Sequence, residues 1–244
     1  MFDLRRNLVP DAYAPCVLAP MMASKLLRVA LGHHIKADEI QRRLPNAVFM
    51  QMPQLSKKVS VVDFAHTAFG KTCPFPVHID DEGVTAQDVY IIKDGQRMDC
   101  ITNRVTAAEM SLPLTGNARV DSNGSAPQIS IRNLALLPQS DEVPAMLDSI
   151  KEGFYLVDGS HSEGSPKGEY VCLVTIGYRI KNGQICEKID GCGVWGFADD
   201  FLQSIAMVGN DFSWYPDEHS EINGINAAVG SPTIRAGLNI GQVF

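Results

Sequence analysis

The sequence predicts an α+β fold built on a mostly antiparallel sheet, and three observations predict it. Short β-branched or alternating runs bounded by Gly, Asn and Asp recur along the chain, only three stretches carry helical periodicity, and the two do not alternate in a strict β-α-β order. With 244 residues, 45% of them hydrophobic, the chain can bury a substantial core. No internal repeat, low-complexity tract or linker divides it, so a single domain over residues 1–244 is expected.

The first helix is expected over residues 20–43, because Met21, Leu26, Leu27, Ala30, Leu31 and Ile35 fall on one face before the turn at Leu44-Pro45-Asn46. A strand follows at 59–63. A hairpin runs from 89–92 through Lys93-Asp94-Gly95 to Cys100-Ile101. After a polar loop at 121–128 comes a strand candidate at 128–136. The second helix spans 140–152, with Ser140 as cap, Pro144 in the first turn, Val143, Met146, Leu147 and Ile150 inward, and Gly153 as stop. Residues 158–168 are rich in Ser and Gly and read as a surface loop. The clearest hairpin joins 171–180 to 185–189 through Asn182-Gly183. A third helix over 198–208 presents Phe201, Leu202, Ile205 and Met207 and ends in a left-handed Gly209-Asn210, and a last strand covers 233–240.

Composition excludes several function classes. A formal charge of −7 and a pI near 5.3 repel a phosphate backbone, so no nucleic-acid partner is expected. The first twenty residues include Asp3, Arg5, Arg6 and Asp11, and no apolar stretch reaches membrane-spanning length; a cytoplasmic protein with no membrane partner is expected. The six cysteines are irregularly spaced without a C-x-x-C pair, which predicts reduced, mostly buried thiols.

Zinc hydrolysis from a helix needs ligands one turn apart and a carboxylate to deprotonate the bound water. His33 and His34 are adjacent and so point about 100° apart around a helix, and only His34 and Asp38 share a face. That pair reads as a surface interaction. Gly159-Ser160-His161-Ser162-Glu163-Gly164 lacks the G-x-S-x-G spacing and is no nucleophile elbow. Asp80-Asp81-Glu82-Gly83 lacks the alternation of a calcium loop and reads as an acid-rich turn. Gly191-Cys192-Gly193 and the glycines at 237 and 241 form no phosphate loop.

Several segments, taken in order, resemble the C-terminal domain of the TldD/TldE family, also called PmbA or modulator of gyrase. Leu26-Leu27-Arg28-Val29-Ala30-Leu31-Gly32-His33 resembles its helix pattern Leu-Leu-His-Glu-Ala-x-Gly-His. Val59 to Asp63, Asp80 to Val84, Thr115-Gly116-Asn117-Ala118-Arg119, Ser140 to Tyr155 and Val208-Gly209-Asn210-Asp211 resemble further family segments. The resemblance implies a curved sheet and a heteromeric zinc metalloprotease, in which a TldD-type subunit carries His-Glu-x-x-x-His and a TldE-type subunit lacks it. It places Arg28 at the first ligand, Val29 at the catalytic Glu and His33 at the surviving His. The family's third ligand, a Cys, falls near Glu221-Ile222-Asn223, where there is none. An Arg cannot ligate zinc and a Val cannot accept a proton. The implied role is a non-catalytic subunit that has no cofactor of its own, pairs with a zinc-bearing TldD-like partner and binds an extended peptide, with Arg28 near the cleft. The resemblance covers the family's C-terminal domain, and its N-terminal domain is expected to lie outside these residues, either because the chain is a fragment or because that half belongs to another polypeptide. Two alternatives stand beside this reading: a rewired metal-dependent hydrolase for peptide or amide bonds, using His33, His34 or His219 with Asp38, Glu218 or Glu221; or a non-proteolytic assembly module.

Overall fold

The computed structural model describes residues 9–32, 34–43, 54–124, 126–165, 167–217 and 224–242, the side chains of Arg43 and His161 excepted. In chain order the first half contains β1 (Ala12–Leu18), α1 (Pro20–Leu31), α2 (Ala37–Arg43), β2 (Val61–Phe64), β3 (Thr67–Ala68), β4 (Lys71–Thr72), β5 (Val89–Lys93), β6 (Gln96–Arg97), α3 (Arg104–Met110), β7 (Ala118–Arg119), β8 (Gln128–Ile129) and β9 (Asn133–Leu136). The second half contains α4 (Val143–Asp148), β10 (Glu152–Gly164), β11 (Glu169–Lys181), β12 (Gln184–Ile189), β13 (Cys192–Phe197), α5 (Ala198–Ser204), β14 (Met207–Val208), β15 (Ser213–Pro216), β16 (Ala228–Ser231) and β17 (Ile234–Gln242). The fold is α+β and sheet-dominated, as the strand-rich sequence predicts. Two compact units divide it: Met1–Ala30, Pro138–Ser213 and Ser231–Phe244 form the first, Leu31–Leu137 and Trp214–Gly230 the second.

The first unit is built on a seven-stranded sheet whose ladder closes on itself. Strand β1 pairs in parallel with β10 and antiparallel with β17, while β10, β11, β13 and β17 pair antiparallel in succession. Alternate residues of β1 therefore face opposite sides. Val17 packs with Met146 and Ile150 from around α4 and with Ile180 of β11, and Leu147, Tyr155 and Met207 close over them. Helix α5 buries Phe201 and Leu202, and the Phe201 ring meets Tyr170 edge to face at 5.9 Å.

The second unit centres on a six-stranded sheet in the order β15-β16-β9-β2-β5-β6, in which β9, β2, β5 and β6 pair antiparallel in succession and β16 runs parallel to β9. Strands β2 and β9 are buried along their entire lengths. Around this sheet lie α2, α3 and two short hairpins, β3–β4 and β7–β8.

Several expected boundaries are corrected by the structure. The single helix over 20–43 is two: α1 stops at Leu31, the amides of His34 and Ile35 return to the Leu31 carbonyl, and Lys36 bridges to Ile101 before α2 starts. The 158–168 stretch is not a surface loop but the middle of a ribbon of two 13-residue strands, β10 and β11. Residue 142, not Ser140, caps α4, and Gly153 lies inside β10. Helix α5 ends at Ser204, and Gly209 is absent from the positive-φ positions because β14 and the Asp141 bridge hold that segment extended. The 128–136 strand is broken into β8 and β9. Both hairpin turns occur as expected, with Asp94-Gly95 and Asn182-Gly183 at positive φ.

Candidate functional site

Helix α1 is apolar almost all round. Met22, Ala23, Leu26, Leu27, Val29 and Ala30 are each at most 5% exposed, leaving Met21, Lys25 and Arg28 on one narrow half-open stripe. The spacing of four and three residues puts those three on one face, one turn apart. A long side chain with an apolar stem suits such a stripe, because the stem covers the helix while the charge reaches water. Arg28 also stands in the last turn, where a cation meets the negative end of the helix dipole.

Strand β10 passes directly beneath this helix. A Cβ on Gly164 would lie 2.5 Å from the Val29 carbonyl oxygen, and one on Gly159 would lie 3.0 Å from the Met22 sulfur and 2.7 Å from Cys172 Sγ. Glycine at these positions is what allows helix and strand to approach so closely. Lys25 locks the crossing: its ammonium pairs with Asp158 at 2.9 Å and donates to the Gly159 carbonyl at 2.5 Å. The pair is largely shielded, with 17% and 27% of the two side chains exposed. Here the β10–β11 ladder shifts register between Leu156 and Glu163, and β1 accompanies β10 only as far as Leu156. Among the described residues, the outer edge of β10 beyond that point has no neighbouring strand.

Chemically, these residues bind and position. Val29 is buried and has no proton-accepting atom, and Arg28 offers only donors, so neither fits a zinc centre. His33, Glu218, His219 and Glu221 lie outside the described residues. The expected His34–Asp38 face is not formed by one helix, since His34 occupies the turn between α1 and α2. Asp38 Oδ2 instead accepts from Arg42 Nη2 at 3.2 Å within the first turn of α2. Among the described residues, no three His, Cys, Asp or Glu side chains are grouped to hold a metal ion.

Three of the segments that carry the family resemblance, Val59 to Asp63, Asp80 to Val84 and Thr115 to Arg119, lie in the second unit. Asp63 at the end of β2 receives Arg132 Nε at 2.9 Å and Asn117 Nδ2 at 2.8 Å on one carboxylate oxygen, and the Arg132 and Asn133 amides on the other. Arg132, fully buried, spends its remaining donors on the carbonyls of Asp63, Gln87, Thr115 and Gly116. The acidic turn is equally built in: Asp80 accepts the amides of Glu82, Val84 and Ala118, and Asp81 that of Val120. Asp81 also pairs with Arg119 Nε at 3.5 Å, so these carboxylates are spent on backbone amides and on arginines of the same unit. Sequence reading missed Arg132, and the one signal for it was an Asp placed in the otherwise apolar strand Val61-Val62-Asp63-Phe64.

The sequence profile of the PmbA/TldA metallopeptidase C-terminal domain matches residues 11–242. A Saccharolobus solfataricus protein named zinc metalloprotease TldD homolog is 29% identical over 206 residues, covering 81% of this chain and 44% of that protein. A metalloprotease TldD homolog of Buchnera aphidicola subsp. Schizaphis graminum is 24% identical over 241 residues, covering 96% and 49%. Among solved structures, TldE from Thermococcus kodakarensis superposes with a TM-score of 0.79 at 15% identity, covering 96% of this chain and 51% of that one. A Thermotoga maritima protein described as a candidate modulator of DNA gyrase gives 0.78 at 20% identity with the same coverage. The structural likenesses show the fold, and this chain spans about half the length of the relatives it matches.

Proposed function

Because this chain belongs to the PmbA/TldD metallopeptidase family, by a C-terminal domain that fills residues 11–242, we propose that it acts as a non-catalytic subunit of a cytoplasmic, heteromeric zinc metalloprotease. Its partner would be a TldD-type chain with an intact His-Glu-x-x-x-His helix, and its task would be to complete the substrate cleft and hold an extended peptide. The observation that carries this reading is position 29. A buried valine there, beside an arginine at 28, removes the proton acceptor and one ligand from a helix that is otherwise kept and tightly packed on β10. Among the described residues no strand pairs with β10 on the side of β1 beyond Leu156, and this supports the peptide-binding half of the reading, since an extended peptide can add to a sheet edge through main-chain hydrogen bonds.

The test is to measure zinc content and peptide cleavage for the chain alone and after mixing with a TldD-type partner. The expected result is no cleavage by the chain alone, co-elution with the partner, and cleavage by the complex. Hydrolysis by the purified chain unaided would end the proposal.

A further inference from the structure

Strand β1 has one fully paired edge and one that is only partly paired. All of its residues from Ala12 to Leu18 pair with β17, whereas β10 joins the opposite edge only from Cys16 onward. Among the described residues no strand fills that edge before Cys16, and a cavity of about 420 Å³ lies there, bounded by β1, the start of β10 and the end of β11. A volume of this size suits a small ligand. Every residue that lines it belongs to the first unit, and it sits at the end of β1 away from α1.

Backbone direction decides what the open edge offers. The Pro15 carbonyl points toward β10, since a Cβ on Gly153 would collide with its oxygen, and the Ala19 amide donates to the Leu156 carbonyl at 2.9 Å on the same side. Main-chain groups two residues apart in a strand point the same way. The N–H and C=O of Tyr13 therefore face the cavity, and Pro15, which has no N–H, leaves no donor stranded beside them. An extended chain lying in this lane would take both Tyr13 hydrogen bonds.

The inner wall adds charge. Arg179 Cζ lies 5.6 Å from the centre of the Phe154 ring, and Lys181 follows two residues later on the same face of β11. Both cations meet one oxygen of Glu187, at 3.4 and 3.1 Å, and exposed Glu152 stands opposite Lys181 in the ladder. The Arg179 side chain is the most shielded of these charges, 26% exposed against 56% for Lys181 and 40% for Glu187. Solvent screens the exposed Glu152 more than it screens this guanidinium, whose fork of donors matches a carboxylate. A chain entering parallel to β1, as β10 itself runs, brings its carboxyl end to this wall.

From this we infer that the cavity binds the free C-terminal end of an extended peptide, with its main chain on Tyr13 and its α-carboxylate on Arg179 beside Lys181. The inference does not rest on the family reading: no residue of α1 takes part, and no partner chain is needed.

The experiment is binding of the N-acetylated tetrapeptide Ala-Val-Ala-Leu to the full chain, as the free acid and as the C-terminal amide, followed calorimetrically and by the Tyr13 amide resonance in NMR. The free acid is expected to bind the wild type and shift Tyr13, and the amide to bind roughly tenfold or more weakly, because a hydrogen bond between charged groups is lost. Arg179→Gln should reduce the acid to the affinity of the amide. Ala12→Phe, which puts a ring into the cavity mouth from an exposed position, should block both. The comparison of acid with amide needs no variant, and unchanged urea midpoints separate loss of binding from unfolding in the two that are made. Equal affinity of acid and amide for the wild type, binding undiminished by Ala12→Phe, or no uptake at millimolar peptide overturns the proposal.

Discussion

Arg132 and Asp63 are both fully buried, 2.9 Å apart, with every guanidinium nitrogen engaged. A buried pair of this kind contributes little over an apolar replacement of both partners, yet removing one partner strands the other charge. Asp63→Ala is therefore expected to lower unfolding free energy by about 3–5 kcal/mol, and adding Arg132→Met to recover part of it; urea denaturation of the single and double variants decides. None of this was legible in the sequence beyond the lone Asp in β2, because its partner lies 69 residues away and a single sequence carries no record of long-range pairing. The thiols were legible, since uneven spacing without pairs predicted burial, and five of the six are buried with only Cys186 exposed. Burial pushes Cys73 and Cys192 up to about 11 and Cys100 up to about 12. A thiol reagent at neutral pH should thus modify one cysteine in the native chain and six after denaturation. The same shifts give a pH dependence. Between the ordinary thiol range near 9 and these raised values, the unfolded chain releases protons that the folded chain keeps, so stability falls as pH rises through that window and is fully present below it. Denaturation midpoints measured from pH 8 upward should decline, and a flat or rising profile would contradict the assignment.

At the scale of elements, apolar periodicity located α1, α4 and α5 but not their ends, and it missed α3 at Arg104–Met110. Leu26, Leu27, Ala30 and Leu31 predicted α1 correctly, while the pattern continued through Ile35 concealed a break that only the return of His34 and Ile35 to the Leu31 carbonyl reveals. The reverse error occurred at 158–168, where Ser and Gly suggested a loop. Those glycines serve proximity: Gly159 and Gly164 are small so that β10 can run beneath α1, and strand composition is overridden by that tertiary requirement. Gly164→Ala tests the point. Its new Cβ would lie 2.5 Å from backbone, which cannot move aside as a flexible side chain could, and we expect a loss of about 1–3 kcal/mol. The same change should loosen the stripe that carries Lys25 and Arg28, reducing any peptide affinity more than far-UV ellipticity. A variant as stable as the wild type would mean that the helix and strand are less tightly apposed than described.

For the whole molecule, the family profile is continuous over residues 11–242, yet the chain passes between its two compact units at 30/31, 137/138, 213/214 and 230/231. No linker marks these crossings in the sequence, and a crossing inside α1 leaves no compositional trace. Interleaving has a consequence for folding: neither unit is a contiguous stretch that can be cut out. The second unit draws β16 from residues beyond the 138–213 segment, and that strand supplies the parallel partner of β9, pairing Ala228 with Asn133 and Gly230 with Ala135. Without it, β9 would become an edge strand whose side chains are all of the buried kind, a template for aggregation. A fragment of residues 31–137 should therefore show no cooperative unfolding transition and should self-associate, while adding a peptide of residues 214–230 should restore a sigmoidal urea transition by capping that edge. Cooperative unfolding of the fragment without the peptide would show that the β9–β16 pairing is dispensable, and that the second unit folds from its contiguous portion.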